Sequence, residues 1–167
     1  MEARPKIEVP QTPADKAGEI VAWSALVLLW ALSIWSLFAL PDTIPTHFNG
    51  AGVPDRYGEK GSLLQLPLVA TALFAAITVL SKFPHILNYP SEITPSNALR
   101  HYRGAIRLAR GLKTGLVLIF LLLVFQTGQT ATGHTAGVGA WFLPVTMGLL
   151  FVLPAVWYWM SVAKARE

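Results

Sequence analysis

Four stretches without a charged side chain run through the sequence, and their lengths set the first reading of the fold. Ile20 to Leu40 supplies 21 such residues, enough for a helix to cross a hydrocarbon core about 30 Å thick. A second stretch covers 63–80, with Pro67 in its first turns, where a missing backbone amide costs little. The third, 114–132, is strongly apolar only from Gly115 to Phe125 and must borrow Gln126 to Thr132 to complete a crossing. The fourth, 138–162, is longer than a crossing needs and holds Pro144 and Pro154, which predicts a kink or a tilt. Trp141 near one of its ends and Trp157, Tyr158 and Trp159 near the other fit aromatic belts at two interfaces. The pattern predicts an all-α membrane protein of four transmembrane helices, with a single membrane domain over 20–162.

The hydrophilic pieces between these stretches differ sharply in charge. Arg4, Lys6 and Lys16 lie before the first span, six cations lie between spans two and three, and Lys164 and Arg166 follow the fourth. That places eleven basic residues on one side of the membrane; the other side has Arg56 and Lys60 between spans one and two, and none between three and four. Basic residues close to a span are retained in the cytoplasm during insertion, so both termini, 1–19 and 163–167, are predicted to be cytoplasmic. A cleaved leader is the competing reading of the first span. The tail before it carries Glu2, Glu8, Asp15 and Glu19, and the apolar run exceeds a leader core, which favours an uncleaved anchor.

Composition agrees, with 53% hydrophobic and 13% charged residues, far from the balance of a soluble domain. The net charge of +4 falls mostly in short stretches beside spans, where insertion and anionic lipid account for it, so no nucleic-acid partner is expected. Absence of cysteine excludes disulfides and thiolate chemistry. The four spans contain no Asp, Glu, Lys, Arg or His, and ion-coupled transport ordinarily places such groups at depth. Gln65, Thr71, Thr78, Gln126 and Gln129 read as hydrogen-bonding groups between helices, and Ala72 and Ala76 as small packing residues.

Residues 41–62, between spans one and two, form the densest polar segment. Pro41, Pro45 and Pro54 push the residues before them toward extended backbone, while Asn49-Gly50 and Gly58 invite tight turns, so an ordered, turn-rich cap is predicted. Two jobs fit it. One is recognition of an extracytoplasmic ligand, a peptide or another membrane protein, with His47, Asn49 and Asp55 as donors and acceptors and Phe48 and Tyr57 as contact area. The other is structural, with Asn49 and Asp55 bonding turn amides and His47 capping a helix end. His47, Asp42, Asp55 and His134 could converge on a metal, but zinc-site spacings are absent, so no metal and no cofactor are assigned. No nucleophile-and-base or acid–base motif is present, and a catalytic role is not expected.

Between spans two and three, Thr94 followed by Pro95 predicts a helix start. Arg100, Arg103, Arg107 and Arg110 then recur on one stripe, with Leu99, Tyr102, Ile106, Ala109 and Leu112 on the apolar side. This predicts an interfacial helix over 94–112, its arginines meeting lipid headgroups or an acidic cytoplasmic partner.

The run Leu40-Pro41, Ile44 to Asn49, Gly52 to Gly58 and Lys60 resembles the signature of the bacterial membrane family of domain of unknown function 1648. Asn88-Tyr89-Pro90, Ile93-Thr94, Asn97 and Tyr102-Arg103 resemble a second segment of its shorter members. The resemblance implies a multi-pass protein of the bacterial inner membrane, and Pro45, His47, Asn49, Gly52, Asp55 and Lys60 match the signature as candidate ligand- or partner-binding residues. The same domain forms the amino-terminal part of SdpI-like immunity proteins, which carry further spans after it. The sequence reading is thus a non-enzymatic membrane protein that binds an extracytoplasmic ligand or serves as an accessory subunit of a larger assembly. An immunity or signalling protein, and a small transporter or membrane enzyme, are the alternatives.

Overall fold

The computed structural model describes residues 4–152, 154–156 and 159. It is mostly helical, and three of its helices are long and apolar enough to cross a membrane: Pro13–Ala39, Lys60–Leu80 and Ala98–Ala131.

Helix α1, Pro13–Ala39, starts seven residues before the first uncharged stretch because its start signal lies in the polar tail. Thr12 and Asp15 form a capping box, each side chain bonding the other's backbone amide, and Pro13 occupies the first turn. The helix stops at Leu40, which the following Pro41 holds in extended backbone. The buried side of α1 carries Ala22, Ala25, Leu26, Leu29, Ser33 and Ser36, while Val27, Leu28, Trp35 and Phe38 are exposed. Small residues inside and large ones outside suit a bilayer, where lipid solvates the large side chains and close backbone approach drives packing. The Ser33 and Ser36 hydroxyls donate to the carbonyls of Leu29 and Leu32, which leaves no polar demand on the neighbours.

After α1 the chain forms a β-hairpin, and here the all-helical expectation is corrected. Strands β1, Thr43–Phe48, and β2, Pro54–Glu59, pair antiparallel. The proline-driven extension foreseen for this segment is real, and the turn at 49–53 joins the two extended arms into a ladder. The register slips around His47, next to Pro45, which has no amide to donate. A 3₁₀ turn, Lys60–Leu64, leads into α2, Gln65–Leu80. Its buried residues are Pro67, Ala70 and Phe74; Ala72 and Ala76, expected to pack, lie on the exposed side. Trp30 of α1 donates to the Thr71 hydroxyl across the α1–α2 contact at 3.0 Å, the interhelical role foreseen for that threonine.

Helix α3, Ala98–Ala131, differs from expectation over 94–112, where a separate interfacial helix was predicted. The first helical turn forms at Asn97 rather than Thr94, and the helix then continues unbroken into the membrane segment. Thirty-four residues extend about 51 Å, well beyond the roughly 30 Å of a hydrocarbon core, so its basic first half is the extramembrane end of the spanning helix itself. One buried stripe of α3 runs from Ala98 and Tyr102 through Arg110, Lys113, Val117 and Val124 to Thr127. Most of it faces α1, which runs parallel to α3 while α2 runs antiparallel.

The last segment contains α4, Phe142–Met147, and a π-helical turn, Gly148–Val152. The change of pitch falls just before Pro154, whose ring lacks the amide and crowds the carbonyl four residues back. A fourth crossing to residue 162, with Trp157 and Tyr158, extends outside the described residues. The core joins Ala22, Leu26 and Leu29 of α1, Ile44 of β1, Ala70 and Phe74 of α2, and Val117 and Val124 of α3.

Candidate functional site

The hairpin gathers the six signature residues on one structural unit, and the reason is visible residue by residue. Ile44 is 1% exposed and joins the helical core, while Pro45 beside it is also buried. These two seat β1 against α3. Asn49 shapes the turn, its carboxamide oxygen accepting from the amides of Ala51 at 2.9 Å and Val53 at 3.1 Å. Lys60 closes the base: its amide donates to the Asp42 carbonyl at 2.9 Å, and its ammonium lies 2.9 Å from the Asp42 carboxylate and 3.4 Å from the Leu40 carbonyl. Both loop ends are thereby tied to the last turn of α1.

Gly52 fastens the tip. Its carbonyl accepts from Val138 at 2.9 Å and Gly139 at 3.4 Å, in the connection between α3 and α4. A side chain at Gly52 would overlap the Gly139 backbone, one at Gly137 would overlap the Gly52 carbonyl, and Gly52 and Gly139 have φ of 76° and 83°. The connection between α3 and α4 is thus a backbone dock for the hairpin. Within it, His134 bonds the Thr132 hydroxyl at 2.7 Å and stays exposed.

What remains free on the hairpin is a polar face. His47 and Asp55 sit on opposite strands with Nδ1 2.5 Å from Oδ1, and both stay about half exposed. Donation from Nδ1 to the carboxylate fixes the tautomer, so a neutral imidazole offers Nε2 as an acceptor. Thr46, Val53, Arg56 and Tyr57 are exposed beside them. His47 caps no helix end in this arrangement, and Asp55 bonds His47 rather than the turn amides foreseen for it.

At the opposite end of the bundle lies a charged network that sequence reasoning missed. Asp15 of α1 is within 2.9 Å of both Arg107 and Arg110 of α3. Glu19 of α1 takes Arg110 at 2.8 Å and Lys113 at 2.7 Å. Lys113, 2% exposed, also donates to Thr78 of α2 at 3.1 Å, with its ammonium 4.5 Å from the Phe74 ring centre. Arg107 and Arg110, expected to meet lipid or a partner, are therefore occupied by the chain's own carboxylates, whereas Arg100 is exposed and Arg103 is half-buried. The signal was available: Asp15 and Glu19 stand four apart at a helix start, and Arg110 and Lys113 stand three apart, so each pair forms a one-turn patch of opposite sign.

The amino-terminal strand of chain folds over this end. Arg4 reaches the carbonyls of His85 and Leu87 and lies over the Tyr89 ring, and the Tyr102 hydroxyl donates to Pro5 at 3.0 Å. Burial pushes the Tyr89 hydroxyl up to about 12, so it remains a donor, bonded to the Pro84 carbonyl at 2.9 Å.

A family model for a domain of unknown function, DUF1648, matches residues 25–71, from the middle of α1 through the hairpin into α2. An uncharacterized protein of Archaeoglobus fulgidus is 30% identical over 155 residues, covering 87% of this chain and 85% of the relative. No solved structure matches. With the signature residues folded into one hairpin and a relative matched along most of both chains, this chain belongs to the DUF1648 family.

Proposed function

We propose that the protein is a non-enzymatic membrane protein whose hairpin, on the outer face of the cytoplasmic membrane, holds an extracytoplasmic ligand or docks the chain into a larger membrane assembly. The observation that supports this reading is the fastening of the hairpin at both base and tip, with a polar face left exposed between them. Isolated two-stranded hairpins are marginal in water. This one is held by Lys60 at its base, by Gly52 at its tip and by Ile44 in the core. A surface fixed in advance loses little entropy on binding, which favours recognition by His47, Asp55, Arg56 and Tyr57. The charge asymmetry of the sequence supports this orientation: hairpin outside, ion-pair network and amino terminus inside, four crossings in all.

The test is affinity purification of the native protein and of His47→Ala and Tyr57→Ala variants from their own membranes, with mass spectrometry of what is retained. A partner held by the wild type and lost from both variants, at unchanged stability, supports the reading. Equal retention by all three sinks it. A protective role of the SdpI kind would use the same hairpin; survival of expressing cells under a killing peptide, with no partner retained, would select it instead.

A further inference from the structure

We propose that the cavity at the ion-pair end is a binding site for a phosphate group, with Arg103 as its principal contact. The cavity measures about 610 Å³ and opens between the first turns of α1, the end of α2, the first half of α3 and the amino-terminal segment 7–11. Volumes of this order accommodate small ligands and headgroups. It sits where the charges of α1 give way to its apolar run, with Trp23 on its wall, which is the depth of a lipid headgroup layer.

The sign of the wall follows from counting partners. Among the described residues lining it, five cations face three carboxylates. Asp15 and Glu19 are engaged by Arg107, Arg110 and Lys113, so these five groups hold each other in place and carry one net positive charge. Lys82 and Arg103 stand outside the network, opposed only by Glu8 among those residues. Arg103 Nε is a buried side-chain nitrogen with no hydrogen-bond partner among the described residues. Arg103 lines the cavity and forms no ion pair among the described residues, and a phosphate oxygen matches the planar fork of its guanidinium. Arg107, four residues on, lines the same cavity with its guanidinium already held by Asp15. Arg100, one turn earlier, does not line it. The stripe of four arginines read from the sequence therefore divides: Arg107 and Arg110 line the cavity but are held by Asp15 and Glu19, Arg100 is external, and Arg103 lines the cavity outside the network.

A phosphate here can belong to a membrane lipid or to a soluble ester, and the experiment separates them. Full-length protein in dodecylmaltoside micelles, which carry no phosphate, is titrated with phosphatidylglycerol by native mass spectrometry, and in parallel with inorganic phosphate by calorimetry. Saturable binding of one phosphatidylglycerol per chain identifies a lipid headgroup, and saturable binding of inorganic phosphate identifies a soluble ligand; either supports the site. Arg103→Gln is expected to weaken that binding roughly tenfold, while Arg100→Gln, which removes the same charge outside the cavity, leaves it unchanged. If Arg103→Gln does not fold, Lys82→Gln, which also removes a lining cation outside the network, is measured in its place with the same expectation. Binding of neither probe by the wild type, or equal weakening by Arg100→Gln, overturns the proposal. The site is independent of the hairpin and stands or falls without it.

Discussion

A methyl group at Gly52 would meet the Gly139 backbone, on a residue whose φ of 76° already disfavours any side chain. Gly52→Ala is therefore expected to cost about 1–2 kcal/mol in backbone conformation alone. It should also release the hairpin tip, read as faster amide exchange at Val138, whose donor bond to Gly52 is lost. His47→Ala acts differently. The pair with Asp55 is about half exposed, and exposed pairs contribute roughly 0–1 kcal/mol, so unfolding should shift by less than that while any bound partner is lost. Unchanged exchange at Val138 in Gly52→Ala would show that the dock is incidental. These residues illustrate unequal legibility. Asn49 was readable as a turn former from its own chemistry, whereas the need for glycine at 52 comes from Gly139, 87 positions away.

Helix α3 carries the same lesson at the scale of an element. Its arginine stripe has helical periodicity, so a helix there was legible. Its role was not, because an amphipathic basic segment reads alike whether it lies on lipid or packs against two carboxylates. The carboxylates decide it: Glu19 reaches Arg110 and Lys113 at 2.8 and 2.7 Å. Glu19→Gln leaves Lys113 buried without its charge partner, with an expected cost of about 2–3 kcal/mol, at the lower edge for such pairs because Glu19 keeps some exposure. Adding Lys113→Met should recover part of this, giving a coupling energy of about 1 kcal/mol or more in a double-mutant cycle followed by denaturant unfolding in micelles. Strict additivity would mean the two side chains do not sense each other. The hairpin was half legible. Prolines announced extended chain, but pairing of 43–48 with 54–59 depends on the core position of Ile44 and on the two docks.

At the scale of the whole molecule, α1, α2 and α3 alternate in direction, which puts the hairpin and the α3–α4 connection at one end and the 84–97 segment at the other. Cysteines at Thr46 and Thr135, both exposed, should then react alike with an impermeant maleimide in intact cells, and one at Ser96, also exposed, should not. Labelling of Ser96 with protection of the other two would invert the proposed orientation. Labelling of Thr46 and Thr135 on opposite sides would break the dock itself. The ion-pair end closes the molecule where the amino-terminal segment, α1, α2 and α3 meet, and the phosphate site is proposed in that closure.

From the sequence alone came the existence of the three spanning helices, the extended backbone around the prolines of 41–62, the family signature and the basic side. Each of these is written in local composition: apolar length, proline and glycine chemistry, charge beside a span. Tertiary structure alone decided that the loop is a docked hairpin, that Arg107, Arg110 and Lys113 belong to Asp15 and Glu19, and that Arg103 faces a cavity. Those outcomes depend on which residues meet across some 90 positions of chain, and local composition does not encode which side chains a tertiary contact brings together.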